Sequence, residues 1–155
     1  MKVLVTGAGG FIGRRLVSQI AVCKDFEVFE WPRFDPPDVD WIIHLGACTD
    51  VEASLRNPVS FIRANLGATL TVLEYARTVT SALKRFCYVS TAEVYGPAPE
   101  GIRYMEGQRY DCRNPYAASK AACEQIVSAY TRAYKLPACI ATTINVFGEG
   151  QPEIK

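Results

Sequence analysis

The stretch that most constrains this chain is TGAGGFIG at residues 6–13: three glycines three apart, directly behind an apolar run at residues 2–5 and directly before a segment of helical period at residues 11–20. A strand that turns into a helix within so few residues needs backbone freedom where the chain bends. Gly7 permits the tight turn, Gly10 lets the main chain approach a bound pyrophosphate, and Gly13 lets the helix pack close to the sheet. The helix start, with Phe11 and Ile12, leaves free amides and the positive end of its dipole facing the turn, which suits phosphate. The spacing is GxxGxxG and not GxGxxG. A glycine-rich turn without a ligand is the plain alternative, but strand, turn and helix coincide as a dinucleotide site requires.

Beyond the turn, apolar runs of strand length at 26–30, 41–45, 85–90 and 138–144 alternate with helical segments at 58–77 and Pro115–Tyr134. That alternation predicts βαβ units: an α/β fold with a Rossmann-like, doubly wound parallel sheet. Within 58–77, Ile62, Leu66, Leu70 and Leu73 fall at helical steps and are expected to face the sheet. Asn114 followed by Pro115 reads as an N-cap with proline at the first helical position. Residues 97–114, rich in proline, glycine and charge, form a long loop of the kind that carries function. The segment WPRFDPPDVD at 31–40 is too short and too proline-rich for an ordinary parallel crossover, so an irregular, extended connection is expected there.

With 155 residues, 49% of them apolar, the chain is expected to form one domain over 1–155. Lys and Arg number 17 against 16 Asp and Glu, without long runs of either sign, which argues against nucleic-acid or anionic-membrane binding. Six cysteines without a CxxC pair indicate neither a metal site nor a disulfide framework. Free thiols, no leader pattern and no apolar stretch near the roughly 20 residues of a membrane span give a cytoplasmic expectation.

The carboxylate expected to hold a ribose diol, about 20 residues beyond the turn, is Glu30 at the end of the second strand. It would favour NAD over NADP, although Arg33 nearby suits a 2′-phosphate and Glu30 also reads as an ordinary exposed strand end. In YAASK, Tyr116 and Lys120 are four residues apart and share a helix face. A phenol with pKa about 10 needs roughly 4 kcal/mol of help to act as a base at neutral pH. An ammonium about 4 Å away supplies roughly that much at an effective dielectric near 20. Tyr and Lys at this spacing also occur by chance on amphipathic helices; the glycine turn upstream gives the pair its meaning. Thr91 and Glu93, in STAEVYG past the fourth strand, stand where such sheets line their ligand crevice, and they read either as a hydroxyl partner and an acid or base, or as turn residues.

Taken in order, TGAGGFIG, HLGA, NLGATLTVLE, STAEVYG, YAASK and NVFGEG resemble the motifs of the extended short-chain dehydrogenase/reductase family of NAD-dependent sugar epimerases and dehydratases, nearest the dTDP-glucose 4,6-dehydratase and UDP-glucose 4-epimerase branch. The resemblance runs over nearly the whole chain. It implies that Tyr116 is the catalytic base, that Lys120 binds the nicotinamide ribose and lowers the tyrosine pKa, and that Thr91 polarises the substrate hydroxyl. Asn65 resembles the helix asparagine of the family's active-site tetrad. His44, Leu45, Gly46 and Ala47 resemble the loop that runs past the cofactor, although a lone histidine at a strand end is more often structural. Asn145 resembles the substrate-side asparagine.

Three departures accompany the likeness. Ala92 stands where the dehydratases have an aspartate that gives a proton to the departing hydroxyl, which puts dehydration by that route in doubt while Glu93 remains. The short segment 31–40 leaves no room for the family's third strand and helix. The sequence ends at Lys155, where family members continue into the lobe that grips the sugar nucleotide. A shortened sheet without the substrate lobe is therefore expected, with the last strand as an apolar edge that pairs with another copy or a partner subunit. Two functions stay open: an epimerase or dehydratase of nucleotide sugars, or its cofactor half, and an NAD-binding module that docks a partner without turnover.

Overall fold

The computed structural model describes residues 1–32, 38–78 and 81–151. The elements run β1 (Lys2–Thr6), α1 (Phe11–Ala21), β2 (Glu27–Trp31), β3 (Trp41–His44), α2 (Val51–Arg56), α3 (Pro58–Thr78), β4 (Arg85–Thr91), α4 (Pro115–Tyr134) and β5 (Ala138–Thr143), with a 3₁₀ turn at Ala92–Tyr95. The five strands form one parallel sheet in the order β2-β1-β3-β4-β5. From β1 the chain moves to one neighbour and then returns to the other side. That reversal opens a crevice at the carboxyl ends of β1 and β3.

Alternation along the strands splits the core in two. Leu4, Ile42, Phe86 and Tyr88 are buried with Val72, Leu73 and Ala76 of α3 and Cys123 and Val127 of α4. Val3 and Val5 point the opposite way, against Leu16, Val17 and Ile20 of α1. Each fully buried side chain of this size contributes about 2 kcal/mol of transfer free energy. On the α1 side, Cys139 and Ala141 of β5 are exposed.

Asp40 ties together the sheet's amino-terminal end: its carboxylate accepts from the Lys2 amide at 2.8 Å and pairs with Lys84 at 2.8 Å, and its carbonyl accepts from the Lys84 amide at 2.7 Å. The α4 start is as predicted, with the Asn114 side chain accepting from the Ala117 amide at 2.7 Å and Pro115 opening the helix. Its end has Lys135 in the left-handed region at φ 57°.

Three expectations are corrected. Of the four α3 side chains expected against the sheet, Leu73 is buried and Leu66 packs on the core, while Ile62 and Leu70 are 38% and 39% exposed; Asn65, Thr69, Val72, Tyr75 and Ala76 complete the buried face. The helix turns polar side chains toward the protein because they scaffold the site, so apolar periodicity alone points about one residue away. Second, α2 stands where no helix was expected, started by Asp50, whose carboxylate accepts from the Ala53 amide at 2.9 Å. Third, β2 runs through Trp31 and β4 through Thr91, each one residue beyond the predicted end, while β3 and β5 stop at His44 and Thr143, one residue short of it. The expected extended connection, with Arg33, lies largely outside the described residues.

Candidate functional site

The glycine turn is set by backbone sterics. Gly7 adopts φ +68°, and a β-carbon there would lie 2.8 Å from the Gly46 nitrogen. At Gly13 a β-carbon would come within 2.1 Å of the Gly7 carbonyl oxygen. At Gly10 the nearest atom is the same oxygen at 3.2 Å, and the Gly10 amide donates to it at 3.0 Å. Gly7 and Gly13 are thus required by the fold, and Gly10 keeps the α1 start bare of a side chain.

A cleft of about 850 Å³ begins at this turn and runs along the carboxyl edge of the sheet. Gly7, Gly10, Phe11, Ile12 and Gly13 line one end, and Leu45, Gly46 and Ala47 line its floor. Thr91, Glu93, Tyr116, Lys120 and Asn145 line the other end. The predicted phosphate turn and the tyrosine-lysine pair therefore face one space. A smaller cavity of about 290 Å³ adjoins it through Gly7, Gly46 and Ala47 and is walled by Trp31, Pro32, His44 and Asn65. Glu30 is exposed and lines neither space.

Tyr116 and Lys120 are buried side by side on α4, at 8% and 4% exposure. The backbone amide of Tyr116 donates to Ser54 Oγ at 3.3 Å, which fixes the helix start against α2. Burial lifts the Tyr116 phenol above its ordinary value; a hydrogen bond with Thr91 pulls it down and Glu93 pushes it up. Lys120 Nζ donates to the Val89 carbonyl at 2.7 Å and lies 4.2 Å from the centre of the Tyr88 ring. Burial brings its amine down to about 8, opposed by Cys123 and Glu124. The helix spacing predicted a phenol lowered by its neighbouring ammonium; here the phenol is raised, and the ammonium is engaged by the strand below. Glu93 accepts from Asn114 Nδ2 at 2.9 Å, so the helix cap also places this carboxylate.

Asn65 is 1% exposed and fully hydrogen-bonded. Its side-chain oxygen accepts from the Cys48 amide at 2.8 Å, and its nitrogen donates to the Cys48 carbonyl at 3.1 Å and to Ser119 Oγ at 2.8 Å. It fastens the loop after β3 to α4. His44 is likewise a satisfied buried group. Thr6 Oγ1 accepts from the Gly46 amide at 3.0 Å and lies 2.6 Å from His44 Nδ1; because Thr69 gives its proton to Cys123, the neutral ring carries its hydrogen on Nε2 and Nδ1 accepts from Thr6. His44 Nε2 then donates to Thr69 Oγ1 at 3.2 Å, and Thr69 donates to Cys123 Sγ at 3.3 Å. Burial, with the charge of Lys120, drives the imidazole down to about 3, so the ring is neutral at ordinary pH.

Sequence reasoning missed Ser54, Ser119 and Glu124. Glu124 is 3% exposed and lies eight residues beyond Tyr116 and four beyond Lys120. The same helical step that singled out the lysine could have found it.

The family profile described as GDP-mannose 4,6 dehydratase matches residues 32–154. A probable dTDP-glucose 4,6-dehydratase of Sinorhizobium fredii is 31% identical over 96% of this chain and 54% of that protein. The chain belongs to the extended short-chain dehydrogenase/reductase family of NAD-dependent sugar epimerases and dehydratases. Two solved structures share its fold: RMD from Pseudomonas aeruginosa complexed with NADPH, with TM-score 0.88 and 29% identity over 98% of this chain and 56% of that one; and the dTDP-glucose 4,6-dehydratase DesIV from Streptomyces venezuelae with NAD and TYD bound, with TM-score 0.85 and 28% identity over 97% and 58%. The chain spans about half the length of the curated relatives it matches, 54% in the first. Its sheet is the Rossmann-like fold of this family in shortened form.

Proposed function

We propose that this chain is the cofactor-binding part of an NAD-dependent sugar-nucleotide epimerase or dehydratase. The observation that carries the reading is the single cleft with the glycine turn at one end and the Tyr116 and Thr91 hydroxyls at the other. The turn fits a dinucleotide diphosphate: at Gly7 and Gly13 a β-carbon meets backbone, at Gly10 it would lie 3.2 Å from the Gly7 carbonyl oxygen, and a helix start suits phosphate. Bound NAD would supply the acceptor for a hydride from the sugar carbon. Tyr116 takes the proton of the sugar hydroxyl, Thr91 hydrogen-bonds the same oxygen, and Lys120 holds the ribose and offsets the developing phenolate charge. Glu93, beside Tyr116, serves as a second acid or base, and Asn145 reaches the substrate from the end of β5. Ala92 has no proton to give, which favours epimerisation over aspartate-assisted dehydration. Glu30, exposed and outside both spaces, does not carry the choice of cofactor; the NAD of the Streptomyces venezuelae relative supports NAD, and the NADPH of the Pseudomonas aeruginosa relative keeps NADP as the alternative.

One observation favours a second reading, an NAD-binding module that docks a partner without turnover: the Tyr116 phenol is held up, the wrong direction for a base. Titration with NAD followed by fluorescence, then addition of UDP- and dTDP-glucose with NADH absorbance recorded, separates the two. The enzyme reading expects transient enzyme-bound NADH, reoxidised as the hydride returns to the sugar, together with an altered sugar nucleotide, and a loss of turnover of at least about 100-fold in Tyr116→Phe. Bound NAD with neither transient NADH nor an altered sugar nucleotide supports the module.

The free edge of β5, followed by Ile144 and Phe147 at 80% and 88% exposure, supports a homo-oligomer or a partner subunit. Light scattering of the purified chain tests this. Among the described residues no helix is long and apolar enough to cross a membrane. The six free cysteines fit a reducing, cytoplasmic setting.

A further inference from the structure

Glu124 lies four residues past Lys120 on the buried face of α4, where an acidic side chain is costly unless something requires it. Ser90 Oγ donates to one carboxylate oxygen and Tyr110 Oη to the other, the latter at 2.7 Å. Both oxygens therefore act as acceptors. Two hydroxyl donors suit a carboxylate better than a glutamine, which has one acceptor oxygen, but they are neutral groups and do not account for burying a negative charge at this place.

The surroundings of Lys120 do. From β4 it is faced by the Val89 carbonyl, the Tyr88 ring and the Ser90 hydroxyl, and from β3 by His44, which is neutral at ordinary pH. Thr91 and Glu93 act on Tyr116. On α4 itself stand Tyr116, Cys123 and Glu124. Burial alone favours the neutral amine. Of the two carboxylates near this part of the helix, Glu93 is turned to Asn114 and Glu124 acts on Lys120.

We propose that Glu124 is a positioning residue, whose buried carboxylate, held by the Ser90 and Tyr110 hydroxyls, is the counter-charge that keeps Lys120 an ammonium beneath Tyr116. The part Lys120 takes in the reaction rests on the function proposed above; the charge coupling between the two side chains does not. Burial and coupling oppose one another, and the balance leaves the amine near 8. Cys123 and Glu124 both oppose burial, and removing the Glu124 carboxylate lowers the amine further.

The test is the pH titration of the Lys120 side chain, followed by the ¹³Cε resonance in wild type and Glu124→Gln. The midpoint should fall by about one pH unit in the variant, the size expected for losing an opposite charge one helical turn away. A merely structural role would leave it in place, and an unchanged midpoint in a folded Glu124→Gln protein overturns the proposal. Where that variant does not fold, Glu124→Met, an uncharged side chain of similar length, supplies the second measurement: its Lys120 midpoint should fall by the same amount, and no movement overturns the proposal equally. The alkaline limb of sugar-dependent NADH formation should move down with the lysine midpoint. If wild type forms no NADH while the midpoint still shifts, the functional reading fails and the coupling stands. If NADH forms and the midpoint does not shift, the coupling fails alone.

Discussion

The two ends of the cleft are built on different physics. At the glycine turn, Gly7 and Gly13 are held by contact distances between backbone atoms, and none of those atoms titrates. At the tyrosine-lysine end, four buried side chains, Tyr116, Lys120, Glu124 and Ser119, are held by hydrogen bonds and charge. Shape fixes the first end, so it should be indifferent to pH and intolerant of added atoms. Charge fixes the second, so it should tolerate isosteric change and respond to pH.

The largest expected effect tests whether the two ends are as separate as this contrast makes them, because His44 joins them from below. Its neutral ring has a folded value of about 3 against an ordinary 6.5. A lowered folded value means that the stability contribution is present above about 6.5 and is lost as the pH falls toward 3. The slope is about 1.4 kcal/mol per pH unit, or about 4–5 kcal/mol over the window. Stability from urea unfolding at pH 7 and at pH 3.5 should differ by about 4 kcal/mol in wild type, of which about 2.7 kcal/mol appears by pH 4.5, and by much less in His44→Gln; a wild-type stability independent of pH there would contradict the assigned hydrogen-bond chain.

Next is Gly13→Ala, whose methyl would meet the Gly7 oxygen at 2.1 Å. It should cost about 3 kcal/mol by denaturant unfolding at any pH, because the clash is with backbone. If the loss varied with pH, the turn would not be the purely steric device described. Lys120→Met goes the other way. The amine's folded value of about 8 lies below its ordinary 10.5, so burying the charge destabilises the fold fully below about 8, and the penalty fades as the pH rises toward 10.5. Lys120→Met removes that penalty but leaves the Glu124 carboxylate without its counter-charge, so the full gain of about 1–3 kcal/mol at pH 7 should appear only in Lys120→Met/Glu124→Gln, and should shrink above pH 9. A destabilised variant would show that the bond to Val89 and the Tyr88 ring outweigh desolvation. The smallest effect is at Gly9, where a β-carbon meets nothing within 4 Å. Gly9→Ala should change the urea midpoint by less than about 0.5 kcal/mol, in contrast to its neighbour four residues on.

The same contrast explains what the sequence made legible. Features decided by local sterics could be read directly: the glycine turn, and the α4 start with its asparagine cap and proline. The pairing of Tyr116 with Lys120 on one helix face was legible too. What the amine would bind was not, because the Val89 carbonyl that captures it lies 31 residues away in sequence. The buried face of α3 was misread in part, for a related reason. Asn65 and Thr69 point inward to reach Cys48, Ser119, His44 and Cys123, partners that an apolar pattern does not reveal.

Asn114 carries a consequence of its own. Its oxygen begins α4 by holding the Ala117 amide, and its nitrogen holds the Glu93 carboxylate. One amide group thus sets both where Tyr116 stands at the start of α4 and where the Glu93 carboxylate lies. Neither can be re-aimed without disturbing the other, so at this corner altering the chemistry means rebuilding the helix end.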